Sequence, residues 1–131
     1  MKIDAPIITR DPSDAADLSS KIEASGFDGL CTFEGPHEPF LPLAVAASNT
    51  KKINLITSIA IAFARNPMLL ANIGYDLQLL SKGRFIMGLG SQIKPHIEKR
   101  FSMPWSSPAN RMREMIPVSY THLTLPTMAI V

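Results

Sequence analysis

The residue types best suited to chemistry cluster in three short segments. Phe33-Glu34-Gly35-Pro36-His37-Glu38 sets one imidazole among carboxylates, the combination that general acid–base chemistry near neutral pH requires. Glu34 and His37 are the catalytic candidates, although a solvated loop histidine and a carboxylate held at the next helix N-terminus would use the same residues. Thr57-Ser58-Ile59 places two hydroxyls in an otherwise apolar run, where each needs a backbone partner or a ligand. Gly88-Leu89-Gly90-Ser91 reads as a turn whose glycines let a flat or anionic ligand approach the backbone. It is not a dinucleotide fingerprint, because position 93 is Ile where a third glycine is required.

Alternating strand and helix signals must position these segments. Lys2–Ile8 predicts a first strand, and Pro12-Ser13 opens a helix that Ser13 caps and Gly26 closes. Phe27–Phe33 predicts a second strand, followed by an apolar helix from Pro39 or Phe40 to Asn49. Asn54–Ala62 is the third strand, and Asn66-Pro67 starts the longest helix, Met68–Ser81, with Leu69, Leu70, Ile73, Leu77 and Leu80 at helical spacing. Arg84–Gly88 is the fourth strand, and Ser106-Ser107-Pro108 opens a further helix. Strands starting near residues 2, 27, 54 and 84 imply an α/β fold of parallel strands with right-handed crossovers. A barrel and an open doubly wound sheet both satisfy that spacing. In either, working residues lie on loops at the C-terminal ends of strands.

Composition removes several function classes. The 131 residues suffice for one domain but fall short of the roughly 250 of a closed (β/α)₈ barrel. A net charge of +2 with scattered basic residues does not support a nucleic-acid partner. The most apolar stretch, Ile53 to Phe63, is interrupted by Asn54, Thr57 and Ser58 and is too short to span a membrane. The start, MKIDAPIITRDP, has no apolar run of a secretory signal. The single Cys31 can form neither an internal disulfide nor a metal cluster, so no metal site is expected and a cytoplasmic setting fits.

Charge is unevenly spread: every Asp, Glu, Lys and Arg lies between Lys2 and Glu114. Within the uncharged remainder, VSYTHLTLPT (118–127) resembles the translated end of a transposase-type sequencing adaptor. Residues 1–116 are therefore expected to be the natural domain, stripped of its C-terminal remainder, and 117–131 a non-native tail. The last helix is expected to break off near Ile116.

Three blocks, GFDGLCTFEGPHEPFLPLAVAASNT, INLITSIAIAFARNPMLLANIGYDLQLLSKGRFIMGLGSQ and KRFSMPWSSPANRMREMI, resemble consecutive segments of the luciferase-like monooxygenase superfamily, most of all its coenzyme F420-dependent oxidoreductases. The resemblance implies the N-terminal half of a TIM (β/α)₈ barrel, about four parallel βα units, with F420 (alternatively FMN) bound at the C-terminal mouth. It implies hydride transfer to or from a small organic substrate, in a homo-oligomeric parent enzyme. In the family, a strand-three bulge with a non-proline cis peptide backs the ring, and Ser58–Ile59, preceded by Thr57, is the matching position. Gly88, Gly90 and Ser91 match the strand end that borders the cofactor, and Glu34 or His37 would handle a proton. As written, the chain is expected to be inactive, with Ile7, Leu30, Ile59 and Met87 or Ile86 as barrel-facing side chains left open to water. An FMN-dependent monooxygenase and a small non-catalytic binding module are the alternatives; absorbance separates all three.

Overall fold

The computed structural model describes residues 1–121 and 129–130. The β-branched and apolar runs form strands β1 (Asp4–Pro6), β2 (Gly29–Thr32), β3 (Asn54–Ile61) and β4 (Phe85–Gly90), and a short β5 (Ala129–Ile130) lies beside β4. All pairings are parallel and the spatial order is β1-β2-β3-β4-β5. Helices α1 (Ala15–Ala24), α2 (Phe40–Asn49), α3 (Pro67–Ser81) and α4 (Pro108–Thr121) each pack against the next. They form one layer on one face of the sheet. A doubly wound sheet would place β1 inside the order and helices on both faces, so the chain has the architecture of the first half of a (β/α)₈ barrel.

Register decides which side chains enter the core. Leu30 lies opposite Leu55, and Leu55 opposite Phe85, so these three form one row. That row is buried with Ile7 and Met87 against Phe40, Leu43, Leu70 and Leu77. Ile7, Leu30 and Met87 thus face the helices rather than the barrel interior. The alternation of side chains along a strand leaves Ile86 on the opposite face, where Ile59 is 36% exposed.

Several element ends depart from the sequence reading. Asp11, rather than Ser13, caps the first helical turn, accepting from the Ser13 amide at 2.9 Å and its hydroxyl at 2.8 Å. Gly26 stops α1 with φ +83°, a conformation open to glycine without strain. The fourth strand runs on through Leu89 to Gly90 instead of turning at Gly88. Helix α4 continues past Ile116 to Thr121, with Pro117 inside it. The proline removes one helical hydrogen bond, but Met112, Met115 and Ser119 fall on one side, and Met115 and Ser119 are buried. The Ser119 hydroxyl donates to the Met115 carbonyl at 3.0 Å and to the Pro67 carbonyl at 3.2 Å. Apart from the helical residues 117–121 and the two of β5, the rest of the proposed tail lies outside the described residues.

The N-terminal ends of the strands are tied together by Arg84 and Glu23. Arg84 donates to the carbonyls of Ser81, Ile53, Ala47 and Thr50 and to the Thr50 hydroxyl, at 2.7–3.1 Å. Burial pushes the pKa of its guanidinium down, and the charge of Glu23 only partly opposes this. The Glu23 carboxylate accepts the amides of Lys51, Lys52 and Ile53. Burial alone would raise the Glu23 pKa, but the amides of Ile53, Lys52 and Lys51 together with the field of Arg84 hold it below the usual carboxylate value.

Candidate functional site

The β3–β4 ladder carries the irregularity on which the site is built. Thr57 pairs with Met87, but the next pairs are Ala60 with Leu89 and Ile61 with Gly90, so Ser58 and Ile59 form a bulge, and the peptide between them is cis. Thr57 is buried, and its hydroxyl both donates to the Gly88 carbonyl at 2.9 Å and accepts the Gly88 amide at 2.8 Å. Its partner is therefore the backbone of the adjacent strand. A Cβ at Gly88 would stand 2.0 Å from the Thr57 carbonyl oxygen, and one at Gly90 would stand 2.8 Å from Cδ1 of Ile59. Both glycines let the bulge press onto β4. Ser58 is exposed, whereas Ser91 is half-buried and donates to the Gln92 carbonyl at 3.2 Å.

Glu34 stands just beyond the end of β2. Its amide donates to the Ile59 carbonyl at 3.1 Å. Its Oε2 accepts the Ile61 amide at 2.6 Å and Nη1 of Arg65 at 2.7 Å. Arg65 also donates to the Ile61 carbonyl at 3.0 Å and to Glu38 at 2.8 Å, and it lies over the Phe40 ring at 5.2 Å. The Glu34 and Arg65 side chains are only 6% and 12% exposed. Burial lowers the Arg65 pKa, but the bond and charge of Glu34 and then those of Glu38 outweigh it, so the guanidinium sits above its ordinary value.

His37 is in a different environment. It is exposed at the lip of a cleft of about 220 Å³ at the C-terminal ends of β1 and β2, where Ile8, Arg10, Phe33 and Pro36 also line the wall. Among the described residues no hydrogen bond joins it to Glu34. The structure thus brings Thr57, Ser58, Ile59, Gly88 and Gly90 together, sets Ser91 at their edge, and separates the two acid–base candidates. Cys31, half-buried on β2, has its thiol pKa pushed up by burial and then by Asp4, which keeps it from being a ready nucleophile at neutral pH.

The sheet face away from the helices presents Ile59 and Phe33, 36% and 48% exposed, with half-buried Ile56 and Ile86. This apolar wall beside the bulge fits one face of a planar ring, and the exposed His37 lies beyond the same strand ends. After β4 the chain turns back across the top. Ile97 is fully buried, Trp105 meets Phe63 edge-on with ring centroids 5.9 Å apart, and Arg100 donates to the Gly35 carbonyl in the loop that carries His37. Arg65 and Arg84 escaped the sequence reading. A single arginine after an apolar strand, and another three residues beyond the end of α3, are the only signals they offer.

A family model described as luciferase-like monooxygenase matches residues 3–123. An uncharacterised protein of Mycobacterium tuberculosis is 62% identical over 102 residues, covering 78% of this chain and 30% of that protein. A putative coenzyme F420-dependent oxidoreductase of the same organism is 33% identical over 108 residues, covering 82% of this chain and 31% of that protein. The chain therefore spans about a third of the length of these relatives. Among solved structures, the coenzyme F420-dependent tetrahydromethanopterin reductase of Methanopyrus kandleri superposes with a TM-score of 0.79 at 21% identity, over 99% of this chain and 46% of that chain.

Proposed function

The chain belongs to the luciferase-like monooxygenase family, and from that premise we propose that it forms the cofactor wall of a coenzyme F420-dependent oxidoreductase acting on a small organic substrate. The observation that carries this reading is the bulge of β3, locked onto β4 by Thr57 and Gly88 beside an apolar wall. When bound, the deazaflavin supplies a carbon that accepts or releases a hydride. Ser58 and Ile59 would back the ring, and Gly88, Gly90 and Ser91 would border it from β4. His37 takes up or gives a proton at an imidazole nitrogen open to the cleft. The 33% identical relative favours F420. The family's description as monooxygenases favours the second reading, reduced FMN activating oxygen. The parent enzyme is taken to be a cytoplasmic homo-oligomer, this chain alone to be inactive, and residues 117–131 to be foreign to it. Among the described residues no helix is long and apolar enough to cross a membrane.

The test replaces the corresponding third of the 62% identical mycobacterial protein with the 102 matched residues and titrates both cofactors by fluorescence. Saturable F420 binding with weaker FMN binding is expected. Preference for FMN transfers the assignment to the second reading, and a folded chimera that binds neither removes both.

A further inference from the structure

The β2–β3 ladder ends at the pair Thr32 and Thr57, yet β3 continues through the bulge to Ile61. Beyond that point three backbone groups of β3 find their partners on two residues. The Ile59 carbonyl takes the Glu34 amide, the Ile61 amide takes the Glu34 carboxylate, and the Ile61 carbonyl takes Arg65. Arg65 is held from its other side by Glu38, whose second oxygen accepts the Phe40 amide at 3.3 Å where α2 begins. On the side away from β4, the bulged end of β3 is thereby fastened to the first turn of α2 rather than to β2.

We infer that Glu34 and Arg65 are positioning residues that take over from β2 where its ladder stops, fixing the bulged end of β3 and with it the wall formed by Ile59. The clamp stands on this geometry, and only its purpose, seating a ring, rests on the function proposed above. The residue types suit the task. One carboxylate oxygen accepts two donors, and the planar guanidinium reaches Glu34, Glu38 and the Ile61 carbonyl at once, which an ammonium group does not match. A buried pair of this kind contributes little net stability against an apolar replacement, so its use lies in where it holds the chain. Glu34 is on this account committed to Ile61 and Arg65, which leaves His37 as the proton-handling group.

Hydrogen exchange read by mass spectrometry on the full chain tests the clamp, using Glu34→Ala, Glu34→Gln, Arg65→Met and Arg65→Lys. The informative amides are those of Gly88–Gly90, across the bulge and untouched by either side chain. Glu34→Ala and Arg65→Met are expected to speed their exchange about tenfold or more while α1 keeps its wild-type rate, with Glu34→Gln and Arg65→Lys intermediate. Unchanged exchange at Gly88–Gly90, or equal acceleration in α1, would overturn the inference. The two milder variants carry the same comparison if the severe ones do not fold. Titration with F420 is read separately. The titration uses the chimera described above: failure of the unsubstituted chimera to bind counts against the proposed cofactor role and leaves exchange to judge the clamp. Binding that Glu34→Ala leaves at wild-type strength overturns the positioning role.

Discussion

Thr57 and Gly88 satisfy each other, and that reciprocity sets the effect of changing either. Thr57→Val keeps the shape but leaves a buried amide and carbonyl of Gly88 without partners, a loss of about 2–4 kcal/mol. Thr57→Ser retains both bonds and costs about 1 kcal/mol or less. Urea unfolding of the two variants checks the ordering. Glu23 carries a pH dependence. Its folded pKa lies below the ordinary value, so its contribution is present above that ordinary value and fades as pH falls through the folded one. Glu23→Gln is expected to lower the urea midpoint at pH 7, by about 1 kcal/mol in stability, and to make the fall in stability on acidification shallower. At this scale the sequence shows need but not partner. Two hydroxyls in an apolar strand announced that something must bond them, while Gly88, thirty-one residues on, could be named only after register was known. Glu34 read as an acid–base candidate for the same reason, since nothing local indicates that Arg65 reaches it.

The elements were legible wherever apolar spacing and end signals agreed. Helix α3 illustrates this: Asn66 accepts the Met68 amide at 2.8 Å, Pro67 occupies the first turn, and Lys82 and Gly83 take left-handed conformations past its end. Asn66→Ala is expected to cost about 1 kcal/mol, read from the thermal midpoint. Helix α4 was misread because proline and lack of charge signalled a break, whereas burial of Met115 and Ser119 against the fold outweighs one lost helical bond. Arg84 joins elements rather than belonging to one. Arg84→Met preserves the stem but strands the carbonyls of Ile53, Ala47 and Thr50, and a loss of about 2–4 kcal/mol is expected in urea unfolding. Arg84→Lys recovers only part of it, because one ammonium cannot serve that spread of acceptors.

For the molecule as a whole, the sheet has helices on one side and an apolar wall on the other. Leaving about 400 Å² of such surface in water costs on the order of 10 kcal/mol, comparable to the stability of a domain. Self-association is therefore expected, and a sedimentation coefficient that rises with concentration is its signature; a monomer at every concentration would refute it. If residues 117–131 are foreign, truncation after Ile116 should change stability by about 1 kcal/mol or less, despite the Ser119 bond to Pro67. A larger loss in the urea midpoint would count against that origin. The half-barrel order was readable from strand spacing once the resemblance was in view, but which face each strand residue takes was not. A shift of one residue exchanges the two faces, which is why Leu30 and Met87 were misplaced while Ile59 was not.

The strand order has a bearing on how such a chain is made. Asp4 sits opposite Gly29, Gly29 opposite Asn54, and Leu55 opposite Phe85, so every pairing joins neighbours along the chain. None must wait for a distant segment. As the polypeptide leaves the ribosome, each completed strand offers the edge on which the next can dock, and short loop closures make that step quick. The nascent sheet grows at one edge only, in the direction of synthesis, with its apolar wall facing water as each strand docks.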